Sequence, residues 1–142
     1  MSYLSDEMCR EIILDHVTNP RNANKSHVNY LEETLKNPSC GDLVTIWLKL
    51  EGDKISDITY EVEGCSICSS STSMMSSLMQ NKTIGEAKEI NENFSKMMLN
   101  EEYDKCILED AQSLRGVSKQ QPRIKCATLC YKALLRIVGD KS

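Results

Sequence analysis

No run of apolar residues in this 142-residue sequence is long enough to cross a bilayer, which excludes a membrane-spanning helix. The opening residues, MSYLSDEMCREIILDHV, are acidic and lack the apolar core of a secretory leader, so a cytoplasmic protein without membrane partners is expected. A basic surplus is missing too. Asp and Glu number 21 against 17 Lys and Arg, the net charge is −4 and the pI about 5.2, which argues against nucleic acid as a partner. There is no internal repeat and no low-complexity tract beyond one serine-rich stretch, and the length fits a single domain over 1–142.

Cysteine, by contrast, is plentiful. Seven cysteines are many for a chain expected in a reducing compartment, where structural disulfides are disfavoured, and the odd count argues against a fully paired framework. Metal binding or thiol chemistry is the reading that composition leaves.

The patterning predicts an α+β fold. Leu4 to Thr18 has apolar residues at helical spacing and acids in its first turn, and Asn19-Pro20 ends it. Tyr30 to Lys36 is a candidate strand. Leu43 to Leu50 and Ile55 to Val62 alternate as strands about a Glu51-Gly52-Asp53-Lys54 hairpin turn. Ser66 to Gln80 then switches to helical period. Two short helices are expected over Thr83–Glu89 and Asn93–Leu99, an irregular loop over Glu101–Pro122, and a final helix over Ile124–Val138. Helix, antiparallel strands, then helices means a small antiparallel sheet of about three strands with helices packed on it.

The cysteines sort by position. Cys130 falls inside the apolar stripe of the last helix, with Ala127, Tyr131, Leu134 and Val138, and reads as a small buried hydrophobe. Cys126, at the edge of that stripe in the first turn, can point elsewhere. Cys65 ends a strand and opens a helix, where the positive end of the helix favours a thiolate. Cys40 and Asp42, bridged by Gly41 in a tight turn, can both reach one ion. Cys9 and Cys106 read as bystanders. Three thiolates and one carboxylate (Cys40, Asp42, Cys65 and Cys126) make four donors, the number zinc takes. Cys65-x-x-Cys68 has no second C-x-x-C to complete a zinc ribbon, and an antiparallel chain does not suit a thioredoxin-like dithiol.

The segments ILDHVTNPRN, NPSCGD, GCSICSSSTSMM and RIKCATLCYKAL together resemble the U-type iron–sulfur assembly proteins, the IscU/NifU N-terminal family, over nearly the whole chain. The resemblance is nearest to the SufU branch, because Lys125 precedes the third cysteine where IscU proteins carry histidine, and because the stretch from Cys65 to Cys126 is longer. It maps the family's metal ligands onto Cys40, Asp42, Cys65 and Cys126. Cys68, at a position where relatives commonly have serine, and Cys130 depart from the pattern as accessory thiols. The SufU likeness implies a zinc-dependent sulfurtransferase. A pyridoxal-phosphate cysteine desulfurase of the SufS type would hand sulfur to Cys40, for onward passage to an iron–sulfur scaffold or apo-proteins. Arg123 and Lys125 flank the site and would offset its negative charge. A partner histidine displacing Asp42 or Cys40 would free Cys40 for attack. The IscU likeness implies instead a scaffold for a labile [2Fe–2S] cluster on the same ligands, and a structural zinc is the third reading.

Overall fold

A computed structural model describes residues 4–139. Helix α1 (Asp6–Thr18) starts where the Ser5 hydroxyl accepts the Met8 N–H, and its first turn carries Asp6 and Glu7. Three strands follow, β1 (Leu31–Asn37), β2 (Asp42–Glu51) and β3 (Lys54–Glu63), in an antiparallel meander of that order. Gly52, at a left-handed φ of +65°, makes the β2–β3 hairpin turn. Side-chain alternation sends Val44, Ile46 and Leu48 of β2 and Ile58 and Tyr60 of β3 into one core, as their spacing predicts.

The opposite face of the sheet is roofed near its middle by the segment after α1. His27 stacks on Trp47 with ring centroids 3.8 Å apart, and the buried Thr59 hydroxyl donates to the Asn22 carbonyl while accepting the Lys25 N–H.

Helices α2 (Ser66–Met79) and α5 (Gln121–Val138) pack against each other on the inner face of the sheet. Their close approach follows from the small residues of α2. Ser71, fully buried, donates to the Ala127 carbonyl of α5 at 2.6 Å. Phe94 and Tyr131 stack at 4.2 Å, joining α5 to helix α3 (Ile84–Met98).

Three expectations change. The region 83–99 is one helix, α3, where two were expected. A capping box of Thr83 and Glu86 starts it, and Asn93, expected to open a second helix, turns its side-chain amide back to the Glu89 carbonyl and lies within the one helix. The expected loop at 101–122 holds a short helix α4 (Lys105–Leu108) and a 3₁₀ segment (Glu109–Lys119). Leu108, Ala111, Leu114 and Val117 recur every third residue and are all buried, which is the 3₁₀ period and was hidden by polar residues between them. Helix α5 also begins three residues earlier than expected, with Pro122 in its first turn.

His16 fastens three of these pieces. It is buried, with Nδ1 2.7 Å from Ser73 Oγ of α2 and Nε2 2.9 Å from Asp110 Oδ2 of the 3₁₀ segment. Replacing it by leucine leaves the buried Ser73 hydroxyl short of a partner and cuts the tie to Asp110. His16→Leu is therefore expected to lose about 1–3 kcal/mol in a denaturant titration, and Asp110→Asn less, since that carboxylate is half exposed.

Candidate metal centre

The site forms where the β1–β2 turn meets the start of α2 and the second turn of α5. Asn37 closes β1 opposite Asp42, and four residues join them. The Asn37 carbonyl accepts the Gly41 N–H at 2.7 Å and the Cys40 N–H at 3.3 Å, while its side-chain oxygen accepts the Ser39 N–H. Gly41 sits at φ +78°, a conformation that a side chain would strain. This tight turn leaves Cys40 exposed at its tip and sends Asp42 inward, 1% exposed.

A buried carboxylate needs partners. The Cys65 N–H donates to Asp42 Oδ1 at 3.1 Å, but the buried Oδ2 has no hydrogen-bond partner. Gly64 lies against the same carboxylate, so closely that a methyl group there would overlap Oδ1. Cys65 is the N-cap of α2 and half-buried, and its side chain makes no cap bond.

Cys126, in the second turn of α5, is 1% exposed. Its sulfur is 3.5 Å from the Cys40 sulfur and 3.9 Å from the Asn37 side-chain amide, which donates to it. One donor atom each from Cys40, Asp42 and Cys126 lie within 4.8 Å of one another. Cys65 is beside this trio and not one of its three members. Burial, then the Asp42 carboxylate and the Cys40 and Cys65 thiols, push the Cys126 thiol well above its usual range. Helices α1 and α3 carry acids in their first turns, but α2 and α5 carry none.

An orphaned buried carboxylate oxygen, two sulfurs within reach and a third beside them form a donor set that fits a thiophilic cation, with positive charge supplying what the carboxylate lacks. Of the residues expected at the site, Cys40, Asp42 and Cys126 are gathered and Cys65 adjoins them. Arg123 and Lys125 are exposed on α5 on either side of the Cys126 position. Cys68 and Cys130 are fully buried in the core. Burial raises both thiols, Cys130 to about 11, and Cys130 lies 3.6 Å from the Ser71 hydroxyl. Cys9 is buried and Cys106 exposed, both outside the trio. Asn37 is the residue that sequence reasoning missed. Asn before Pro reads as an ordinary turn signal, and nothing in the pattern tells that its side chain faces a cysteine 89 positions later.

Comparison with known proteins agrees with this architecture. The model of the NifU-like N terminal domain matches residues 8–133. The chain is 44% identical over 137 residues to the zinc-dependent sulfurtransferase SufU of Bacillus subtilis, covering 96% of this chain and 92% of that protein. It is 40% identical over 101 residues to the iron–sulfur cluster assembly scaffold protein IscU of Streptococcus pyogenes, covering 70% of this chain and 64% of that protein. The crystal structure of a candidate iron–sulfur cluster assembly scaffold protein for the SUF system from Fervidobacterium islandicum superposes with a TM-score of 0.78 at 33% identity, covering 89% of this chain and 93% of that one. With a family model matched from within α1 to within α5, and the turn cysteine, aspartate and helix cysteine gathered in the matched region, the chain belongs to the NifU-like N-terminal domain family.

Proposed function

We propose that this chain serves iron–sulfur cluster assembly as a zinc-dependent acceptor of sulfur, taking it on Cys40 from the persulfide of a cysteine desulfurase. Iron–sulfur cluster assembly is the role named for the S. pyogenes and F. islandicum relatives, and the sulfurtransferase reading follows the B. subtilis SufU relative. The observation that carries it is the unequal burial of two neighbouring thiols: Cys40 is exposed, while Cys126, 3.5 Å away, is 1% exposed.

Cys40, Asp42, Cys65 and Cys126 would hold the zinc, which when bound keeps thiols deprotonated at neutral pH. The Cys40 thiolate attacks the outer sulfur of the incoming persulfide. A new sulfur–sulfur bond forms on Cys40, the donor's own sulfur–sulfur bond breaks, and its electron pair leaves on the donor cysteine as a thiolate. No external oxidant or reductant is needed. Exchange at Cys40 fits the burial better than exchange at Asp42, because Asp42 is enclosed and held by the Cys65 N–H. Cys68 and Cys130, buried with raised thiols, are poorly placed to relay sulfur. A scaffold role would use the same donors, and the S. pyogenes IscU relative favours it. Lys125, where the resemblance expects histidine in scaffolds, weighs towards sulfur transfer.

Metal analysis of the purified chain should find about one zinc per chain. Cys40→Ala, Cys65→Ala and Cys126→Ala should each weaken zinc binding in chelator competition and lower the melting temperature, because binding to the native state adds to its stability. Full zinc retention in all three would overturn the ligand assignment.

Incubation with cysteine and desulfurase, followed by peptide mass spectrometry, should place an added 32-Da sulfur (about one atomic mass of sulfur) on Cys40. Cys68→Ser and Cys130→Ala should leave that signal in place. An absorbing, transferable cluster with no persulfide would select the scaffold reading instead.

Gly64→Ala, which crowds the Asp42 carboxylate while leaving every donor in place, should weaken zinc binding by about tenfold, the scale of perturbing a ligand's surroundings. Unchanged affinity would mean that Asp42 is not held where the metal needs it.

A further inference from the structure

Charge is distributed unevenly along this acidic chain. Residues 111–139 contain six cations and no Asp or Glu, so eleven of the 17 lysines and arginines face all 21 carboxylates elsewhere. The six cations are Arg115, Lys119, Arg123, Lys125, Lys132 and Arg136. Helical geometry aligns three of them. At 100° per residue Lys125, Lys132 and Arg136 fall within about 40° of one another, a stripe roughly three turns long. All three are exposed. Among the described residues, the ion pair these three make is that of Arg136 with Glu33 at 3.8 Å, and Arg136 remains 64% exposed.

Arg123 is different. It shares the angular position of Ala127, Cys130 and Leu134, which are buried, but sits a turn beyond the end of the core and is exposed. The stripe lies on the other side of α5, about 140–180° from Arg123, and runs along the free face of the helix from Lys125, the residue before Cys126. The carboxylates of the neighbouring strand end, Glu61 and Glu63, are in register with Thr45 and Leu43, on the face of the sheet away from α5. Any macromolecule that reaches the exposed Cys40 must cover the start of α5, since the Cys40 and Cys126 sulfurs are 3.5 Å apart.

We infer that the exposed face of α5 carrying Lys125, Lys132 and Arg136 is the docking surface for an acidic face on the protein that delivers sulfur to Cys40. This deepens the sulfur-acceptor reading and rests on it for the partner's identity. Complementary charge acts mainly on encounter rate and orientation, and is screened by salt. The surface would present Cys40 to the donor cysteine without contributing to the chemistry.

Lys132 and Arg136 separate docking from any local offset of the site's charge, because they lie about two and three turns along the helix from Cys126. The test measures binding of the zinc-loaded chain to the cysteine desulfurase of the same organism by biolayer interferometry, at low and at high salt, with sulfur acceptance measured in parallel. For the wild type, affinity should fall several-fold as salt rises. Lys132→Glu with Arg136→Glu should weaken low-salt binding at least about fivefold, flatten the salt dependence, and leave zinc content, melting temperature and acceptance at saturating protein unchanged. Lys132→Gln should give an intermediate loss. Equal affinity and equal salt slope in the double variant would overturn the docking surface. So would a wild-type chain that binds a labelled single-stranded oligonucleotide through these residues while its desulfurase affinity ignores them. A wild-type chain that binds in the expected charge-dependent way but takes no sulfur would support the surface and overturn the sulfur-acceptor reading.

Discussion

The site turns on one buried carboxylate. Asp42 is enclosed at the start of β2, in a fold whose other buried polar groups mostly find hydrogen bonds, yet one of its oxygens has none. Everything around it is arranged to keep it there. Gly64 has no side chain that would push it out, the Cys65 N–H takes one oxygen, and Gly41 lets the chain turn sharply enough to aim it inward. A buried carboxyl oxygen without a partner is costly. The local architecture therefore makes physical sense with a positive charge beside Asp42, and the cysteines decide which kind of cation is welcome.

The packing behind the site is shaped by the same demand for close approach. Serines at 70, 71, 73 and 76 are buried on α2, each hydrogen-bonded to backbone or to a neighbouring side chain. Small hydroxyl residues let α5 come near enough for Ser71 to reach the Ala127 carbonyl, which brings Cys126 toward the turn that holds Cys40. Larger residues on that face would separate the helices and open the site from behind. Substituting serine at Cys68 would introduce a hydroxyl of the kind its neighbours already satisfy, since Thr72 next along the helix bonds the Cys68 carbonyl.

Much of this was legible in the sequence where periodicity and chemistry agreed. Strands β2 and β3 alternate cleanly, and Cys40-Gly41-Asp42 pairs two donors across a glycine, so both the sheet and half the site could be read directly. Cys126 and Cys130, only about 40° apart on the helix, were separable because Cys126 lies at the edge of the apolar stripe and near the helix start. The segment at 101–119 was opaque because its apolar residues repeat every third position among polar ones, a period that is rare over such a length. The gap expected between Glu89 and Asn93 does not occur, because tertiary burial of Ile90, Phe94 and Met97 carries the helix through. Asn37 and the orphaned oxygen of Asp42 were beyond sequence reasoning, since each is defined by what the folded chain brings to it from far away.

The 3.5 Å between the Cys40 and Cys126 sulfurs also makes the metal-free chain perishable. A disulfide bond is about 2 Å long, so a shift of roughly 1.5 Å would close one if an oxidant removed two electrons. Closure would join the exposed thiol to the buried one, and with it the β1–β2 turn to α5. Such a molecule would keep its core and lose both sulfurs as donors at once. A cation bound by Cys40 and Cys126 would engage both sulfurs as ligands and so protect them from oxidation. Cys68 and Cys130, sealed in the interior with raised thiols, need no such guard.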